Sequence, residues 1–237
     1  MPQRKIHFHR ILEQSRPGSR LRDLILGGQD GLVNVLGVTL GVATATNDLK
    51  IILIAALAAT FAESISMGAV AYTSFKAEKD FYDAEVKREK KEIKEKPGEE
   101  KEEIRTIYAN LGFTGTLLDK IVSHITKNKK RWLDVMVKQE LKLSPSKISP
   151  LNSALVVGFS ALAGSFVPIL PFFFLPISVA VWTSIIVSTI VLFIAGIYKA
   201  KITVGNPLKS GIELAVIGIL AALAGYAIGS LLGASII

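Results

Sequence analysis

Long apolar runs alternate with short polar breaks along this chain, and one strongly charged block interrupts them. A bilayer core needs about 20 apolar residues per helix. Five segments meet that length: Leu24–Thr46, Ile51–Phe75, Leu151–Leu170, Pro176–Tyr198 and Leu214–Ile237. The first contains one charge, Asp30, and the second one, Glu63; the other three contain none except at their margins, where Glu213 precedes the last. Between spans two and three lies a block rich in Lys and Glu. The pattern predicts an all-α membrane protein of five transmembrane helices, with a helical domain inserted between spans two and three. Its parts are an N-terminal arm over residues 1–23, spans one and two over 24–75, the insert over 76–147, and spans three to five over 148–237.

Positive charge then sets an expected orientation. Of the 28 Lys and Arg residues, all but Lys50 fall in 1–23, 76–150 and 199–213. Short loops rich in Lys and Arg stay cytoplasmic. The expected topology is therefore N-terminus and insert inside, C-terminus outside. A net charge of +8 beside apolar spans points to anionic lipid rather than nucleic acid, for which no motif appears. Cysteine is absent, which excludes disulfides and thiolate metal sites. The polar, basic start, MPQRKIHFHR, has no apolar core of a secretory signal. A prokaryotic plasma membrane is the expected location, and a vacuolar membrane obeys the same topology.

Small residues mark where helices can touch. Gly37 and Gly41 are four apart, and Ala221, Gly225, Gly229 and Gly233 continue that spacing along span five. Such ridges serve packing within one subunit or between two, and the sequence leaves both open. The segment FVPILPFFFLP predicts a rigid apolar turn between spans three and four.

Two carboxylates inside apolar helices call for a role, because a charge at mid-membrane costs ~2.5–3.5 kcal/mol on insertion scales. At 100° per residue, Asp30, Asn34, Gly37, Gly41 and Thr44 share a face of span one. Glu63, Met67, Thr60, Ser66 and Ser74 share a face of span two. Facing each other, the two stripes would line a path with carboxylate, amide, hydroxyl and thioether. Oxygen ligands alone suit magnesium or calcium, and a thioether shifts the preference toward iron. No span carries a Lys or Arg to neutralise either acid. The bland alternative is a protonated acid and an interfacial cap.

The insert predicts four helices, over about 75–96, 99–111, 115–125 and 129–141, with the first ended by Pro97-Gly98. On the first, Glu89 and Glu92 align with Tyr82, Val86 and Ile93, whereas Lys87, Lys90, Lys91 and Lys94 point the other way. An ordinary amphipathic helix turns both signs outward. On the second, Glu100 and Glu103 align with Ile104 and Ile107, while Glu99 and Glu102 point away. On the fourth, Met136 and Glu140 align with Trp132 and Leu133. Carboxylates converging on one core repel unless a cation holds them. First-turn acids after Pro97 explain Glu99 and Glu100 without a metal, but not Glu89, Glu92 or Glu140. His7, His9 and His124 do not join this set, and no nucleotide or hydrolase motif appears.

These residues together resemble the vacuolar iron transporter family, in the branch with a cytoplasmic metal-binding domain. The likeness runs from about Leu21 through DGLVNVLGVTLGV, AESISMGAVAY, EKKEIKEKPGEEKEEIRTIYANLGF, LDVMVKQELKL, SPLNSALVVGFSALAGSFVPILPF and GYAIGSLLG. The resemblance implies a dimeric, non-enzymatic carrier of Fe2+, and of ions such as Mn2+, Zn2+ or Co2+, exchanged for protons, with no prosthetic group. By matching positions, Asp30, Glu63 and Met67 would line the path, and Glu89, Glu92, Glu100, Glu103, Met136 and Glu140 would form the cytoplasmic site. Chemistry alone is compatible with exchange, since a carboxyl in low dielectric holds either a proton or a cation. A membrane-anchored iron buffer or sensor is the other reading; it needs only the insert. A di-iron oxidase would need Glu-x-x-His pairs, which the insert lacks.

Overall fold

In lipid every backbone polar group must be satisfied within the segment, so long apolar runs form helices whatever their β-branched content, and the computed structural model shows this, with Pro168 the one proline deep inside a described spanning helix. It describes residues 16–144, 149–203 and 205–233, with side chains from Leu21 onward. His7 and His9, and the last residues of span five, lie outside the described residues. The helices are α1 (Arg16–Ala45), α2 (Leu49–Glu95), α3 (Pro97–Asn110), α4 (Gly115–Thr126), α5 (Lys129–Val135), α6 (Pro150–Ile169), α7 (Ile177–Thr203) and α8 (Pro207–Gly233). A π-helical turn, Met136–Glu140, continues α5, and a 3-10 turn, Leu170–Phe173, follows α6. No strand occurs among the described residues. Five of the helices are long and apolar enough to cross a membrane.

Span two and the first insert helix are one helix, α2, of 47 residues. The expected boundary at Phe75 marks a change of composition, not of backbone: residues 73–78, TSFKAE, hold neither Gly nor Pro, so nothing stops the hydrogen-bond ladder. Contacts divide the chain into two compact units, Met1–Tyr72 with Pro150–Ile237, and Thr73–Ser149.

In the first unit the glycine ridges are used up internally. A Cβ on Gly225 would strike the Gly37 carbonyl, and one on Gly229 the Gly41 carbonyl; Gly233 lies against Ala45. The order of these pairs makes α8 parallel to α1. Gly27 against Val157 and Gly31 against Ala161 make α6 parallel to α1 as well. Antiparallel to α6, α2 crosses it where Ser64 Oγ donates to the Gly158 carbonyl at 2.7 Å. Within this unit the starts of α1, α6 and α8 and the Tyr72 end of α2 therefore share one end of the bundle. Large apolar side chains face outward (Phe159, Trp182 and Ile65 are exposed) while Gly, Ala and Ser fill the interior. That is the distribution expected when lipid is the solvent and close backbone approach holds helices together. The buried Ser184 Oγ donates to the Pro168 carbonyl at 2.8 Å. Of the FVPILPFFFLP segment, residues 166–169 end α6, with Pro168 inside the helix, and Leu170–Phe173 form a 3-10 turn that leads to Pro176.

Because carbonyl backbone is what meets the new atoms, Gly229→Val is expected to lower stability by about 1–3 kcal/mol through overpacking. Thermal unfolding in detergent checks this, with Gly98→Ala as a control at a position with nothing within 4 Å.

The second unit has an apolar core of Ile93, Ile104, Leu118, Val122, Ile125, Trp132 and Met136. Pro97 starts α3 where its missing N–H costs nothing. Gly112 and Gly115 take left-handed φ values of 93° and 59° in the turn to α4. The Asn128 side chain accepts from the N–H groups of Lys130 and Arg131, capping α5.

Candidate metal centres

Within the first unit, α1 and α2 bring the two polar stripes together. Glu63 is within hydrogen-bonding reach of both Asp30 and Asn34. Asp30, Glu63 and Met67 are half-buried, and Asn34 is exposed. Thr60 turns inward, but its hydroxyl is engaged by the Ala56 carbonyl at 2.8 Å.

Within the second unit, three helical segments deliver carboxylates to one point. Glu89 on α2, Glu100 on α3 and Glu140 in the π turn each offer an oxygen, and these lie within 4.8 Å of one another. Glu89 and Glu100 are buried, at 1% and 5% exposure, and Glu140 is at the open side. Glu89 Oε1 and Glu100 Oε2 are buried without a hydrogen-bond partner among the described residues. No ion pair engages Glu89, Glu100 or Glu140 among those residues; the lysines of α2 point outward, as expected. Burial first, then the neighbouring Glu100, pushes Glu89 up to about 8. Burial and the Glu103 charge push Glu140 up to about 7. Burial also raises Glu100, with the charges of Glu103 and Glu92 adding to it.

The remaining expected ligands stand around this trio. Glu103 is exposed and within hydrogen-bonding reach of Glu140. Glu92 is half-buried, carries an ion pair to Arg88 at 3.8 Å, and lends its charge to the cluster. Met136 is wholly buried in the apolar core. Glu99 and Glu102 point away, paired with Lys96 and Arg105, and His124 is exposed. The π turn departs from the expected continuous helix. Leu141 N–H reaches back to the Met136 carbonyl, five residues away, which resets the angle at which Glu140 is presented. One buried acid escaped the sequence reading: Asp23, placed in the N-terminal arm, is 2% exposed.

Carboxylate oxygens of Glu89, Glu100 and Glu140 lying within 4.8 Å of one another could hold a hard or intermediate divalent cation, and protons relieve their repulsion without one. Five apolar helices, an acid pair between two of them and a carboxylate trio that could hold a metal ion define the class: a multi-span membrane protein. The VIT family profile matches residues 21–230. Vacuolar iron transporter 1 of Tulipa gesneriana is 38% identical over 209 residues, spanning 87% of this chain and 85% of the tulip protein. Vacuolar iron transporter 1 of Arabidopsis thaliana is 34% identical over 220 residues, or 92% and 88% of the two chains. Protein CCC1 of Saccharomyces cerevisiae is 30% identical over 223 residues, covering 90% of this chain and 69% of its own length. The chain belongs to the VIT family, whose members are transporters and not enzymes.

Proposed function

We propose that this protein moves Fe2+, and Mn2+ as a related ion, out of the cytosol in exchange for protons. The observation that carries this reading is the Asp30–Glu63 pair inside an apolar bundle. A carboxyl pair that shares a proton can trade it for a cation, and an anchor has no use for such a pair. Met67 would offer a softer ligand on the same face as Glu63. No ATP-binding motif occurs, so the flux would run on gradients. Glu89, Glu100 and Glu140, with Glu92, Glu103 and Met136, would collect metal from the cytoplasm. The basic flanks argue for a cytoplasmic N-terminus and insert and an outer C-terminus. The membrane would be a prokaryotic plasma membrane, with a vacuole-like membrane as the alternative. A homodimer would use a face other than the glycine ridge of α8, which α1 already occupies.

The test is Fe2+ uptake into proteoliposomes with a pH gradient imposed, removed and reversed. Uptake that tracks the gradient, with matching proton movement, is expected. Metal bound at the insert without flux under any gradient would instead favour the membrane-anchored buffer or sensor.

A further inference from the structure

Asp23 has no part in either centre. Its side chain is 3% exposed, and Oδ1 is buried with no hydrogen-bond partner among the described residues. Arg22 is its neighbouring cation, with Nη2 3.5 Å from Oδ1, and that side chain is 64% exposed. α6 closes over this stretch of α1: Ser160 Oγ approaches the Asp23 backbone carbonyl at 3.5 Å, and a Cβ on Gly27 would strike Val157 and Ser160. Helical geometry sets Asp23, Asp30 and Asn34 within about 40° of arc on one line, with a rise of roughly 10 Å from Asp23 to Asp30. Removing a carboxylate from water and leaving an oxygen unmatched opposes folding, and a contact of 3.5 Å to a largely hydrated guanidinium compensates little of it. An apolar residue would fill the position better if packing were its only purpose.

We propose that Asp23 is a further cation subsite, lying on the route between the start of α1 and the Asp30–Glu63 pair. A divalent ion would meet Oδ1 in place of the Arg22 guanidinium and pass along the same helix face to Asp30. This rests on the transport reading above. The order of positions along α1 follows from the helix itself, and the unmatched oxygen is the vacancy in hydrogen bonding that a cation would fill.

The test compares wild type, Asp23→Asn and Arg22→Gln in proteoliposomes, measuring initial Fe2+ uptake against Fe2+ concentration. Calorimetric Fe2+ binding to the Glu89–Glu100–Glu140 trio and melting temperature are recorded alongside. Asp23→Asn is expected to raise the half-saturating concentration at least tenfold with insert binding unchanged. Arg22→Gln, which removes the competing cation, is expected to lower it several-fold. A merely structural ion pair predicts the reverse pattern: lower melting temperatures and an unchanged half-saturation in Arg22→Gln. That result, or Asp23→Asn within twofold of a transporting wild type, overturns the subsite. If Asp23→Asn does not fold, the Arg22→Gln half-saturation decides alone. A wild type that transports nothing overturns the transport reading and this inference together.

Discussion

Asp30→Asn is expected to reduce Fe2+ flux by at least about 100-fold while leaving expression and insert binding intact. The substitution keeps the size and most hydrogen bonds of the side chain, so helix packing between α1 and α2 should survive. It removes the group that can carry either a negative charge or an exchangeable proton. Glu63 would keep an amide partner at Asp30 in addition to Asn34, so one carboxylate would face a desolvated divalent ion alone. A factor of 100 corresponds to about 2.7 kcal/mol, within what a single charge-assisted ligand contributes in low dielectric. Asp30→Ala should do the same, which separates the loss of charge from any new contact made by the amide. Initial uptake rates in proteoliposomes at matched protein content are the measurement. Undiminished flux in either variant would remove Asp30 from the mechanism and return it to a structural role.

Much of this arrangement is legible in the sequence because membrane physics narrows the choices. A run of twenty apolar residues has few alternatives to a spanning helix, and an acid inside one is visible at once. The inward glutamates could be read from angle alone, since lysines on the opposite face of the same helix supply the contrast. Glu89 and Glu100 are buried as that contrast implies, and Glu99 and Glu102 are not. Other features depend on tertiary context. Whether the Gly225 ridge faces its own α1 or a second subunit is a question of partner, which spacing cannot answer. The π turn at Met136–Glu140 has no local signature: no Gly or Pro marks it, and it was read as ordinary helix. Met136 aligned with the carboxylates by angle, yet it also sits where Ile93, Ile104 and Trp132 converge, so apolar packing alone accounts for its burial. Asp23 was missed for a simpler reason. It falls at the last position of the arm bounded at residue 23, and the signal for burial is its seven-residue spacing from Asp30.

The carboxylate trio predicts an unusual dependence on pH. Glu89 and Glu140 have folded pKa values raised to about 8 and about 7 from an ordinary value near 4.5. Between those limits the folded state binds more protons than the unfolded state. The contribution of these acids to the stability of the metal-free second unit should therefore be fullest below about pH 4.5 and be lost as pH rises from there to about 8, the opposite of a domain held by salt-bridged acids. Each tenfold change in proton affinity is worth about 1.4 kcal/mol, and after allowance for solvent screening the expected loss is roughly 2–4 kcal/mol. Metal should reverse the slope, because its affinity rises as the same protons leave. Binding is expected to weaken about 10-fold or more between pH 8 and pH 6. Glu89→Gln isolates the cause. It deletes the most strongly shifted acid, so the metal-free protein should become more stable at pH 8 and lose part of its pH dependence, Glu100 and Glu140 keeping the rest, while metal affinity falls by at least about 10-fold. Trp132, buried in the same core as Ile93 and Ile104, gives a fluorescence signal for unfolding of this unit in the full chain. A wild type whose unfolding ignores pH, or a Glu89→Gln variant that binds metal as tightly as wild type, would show that the trio is held apart by packing and holds no ion.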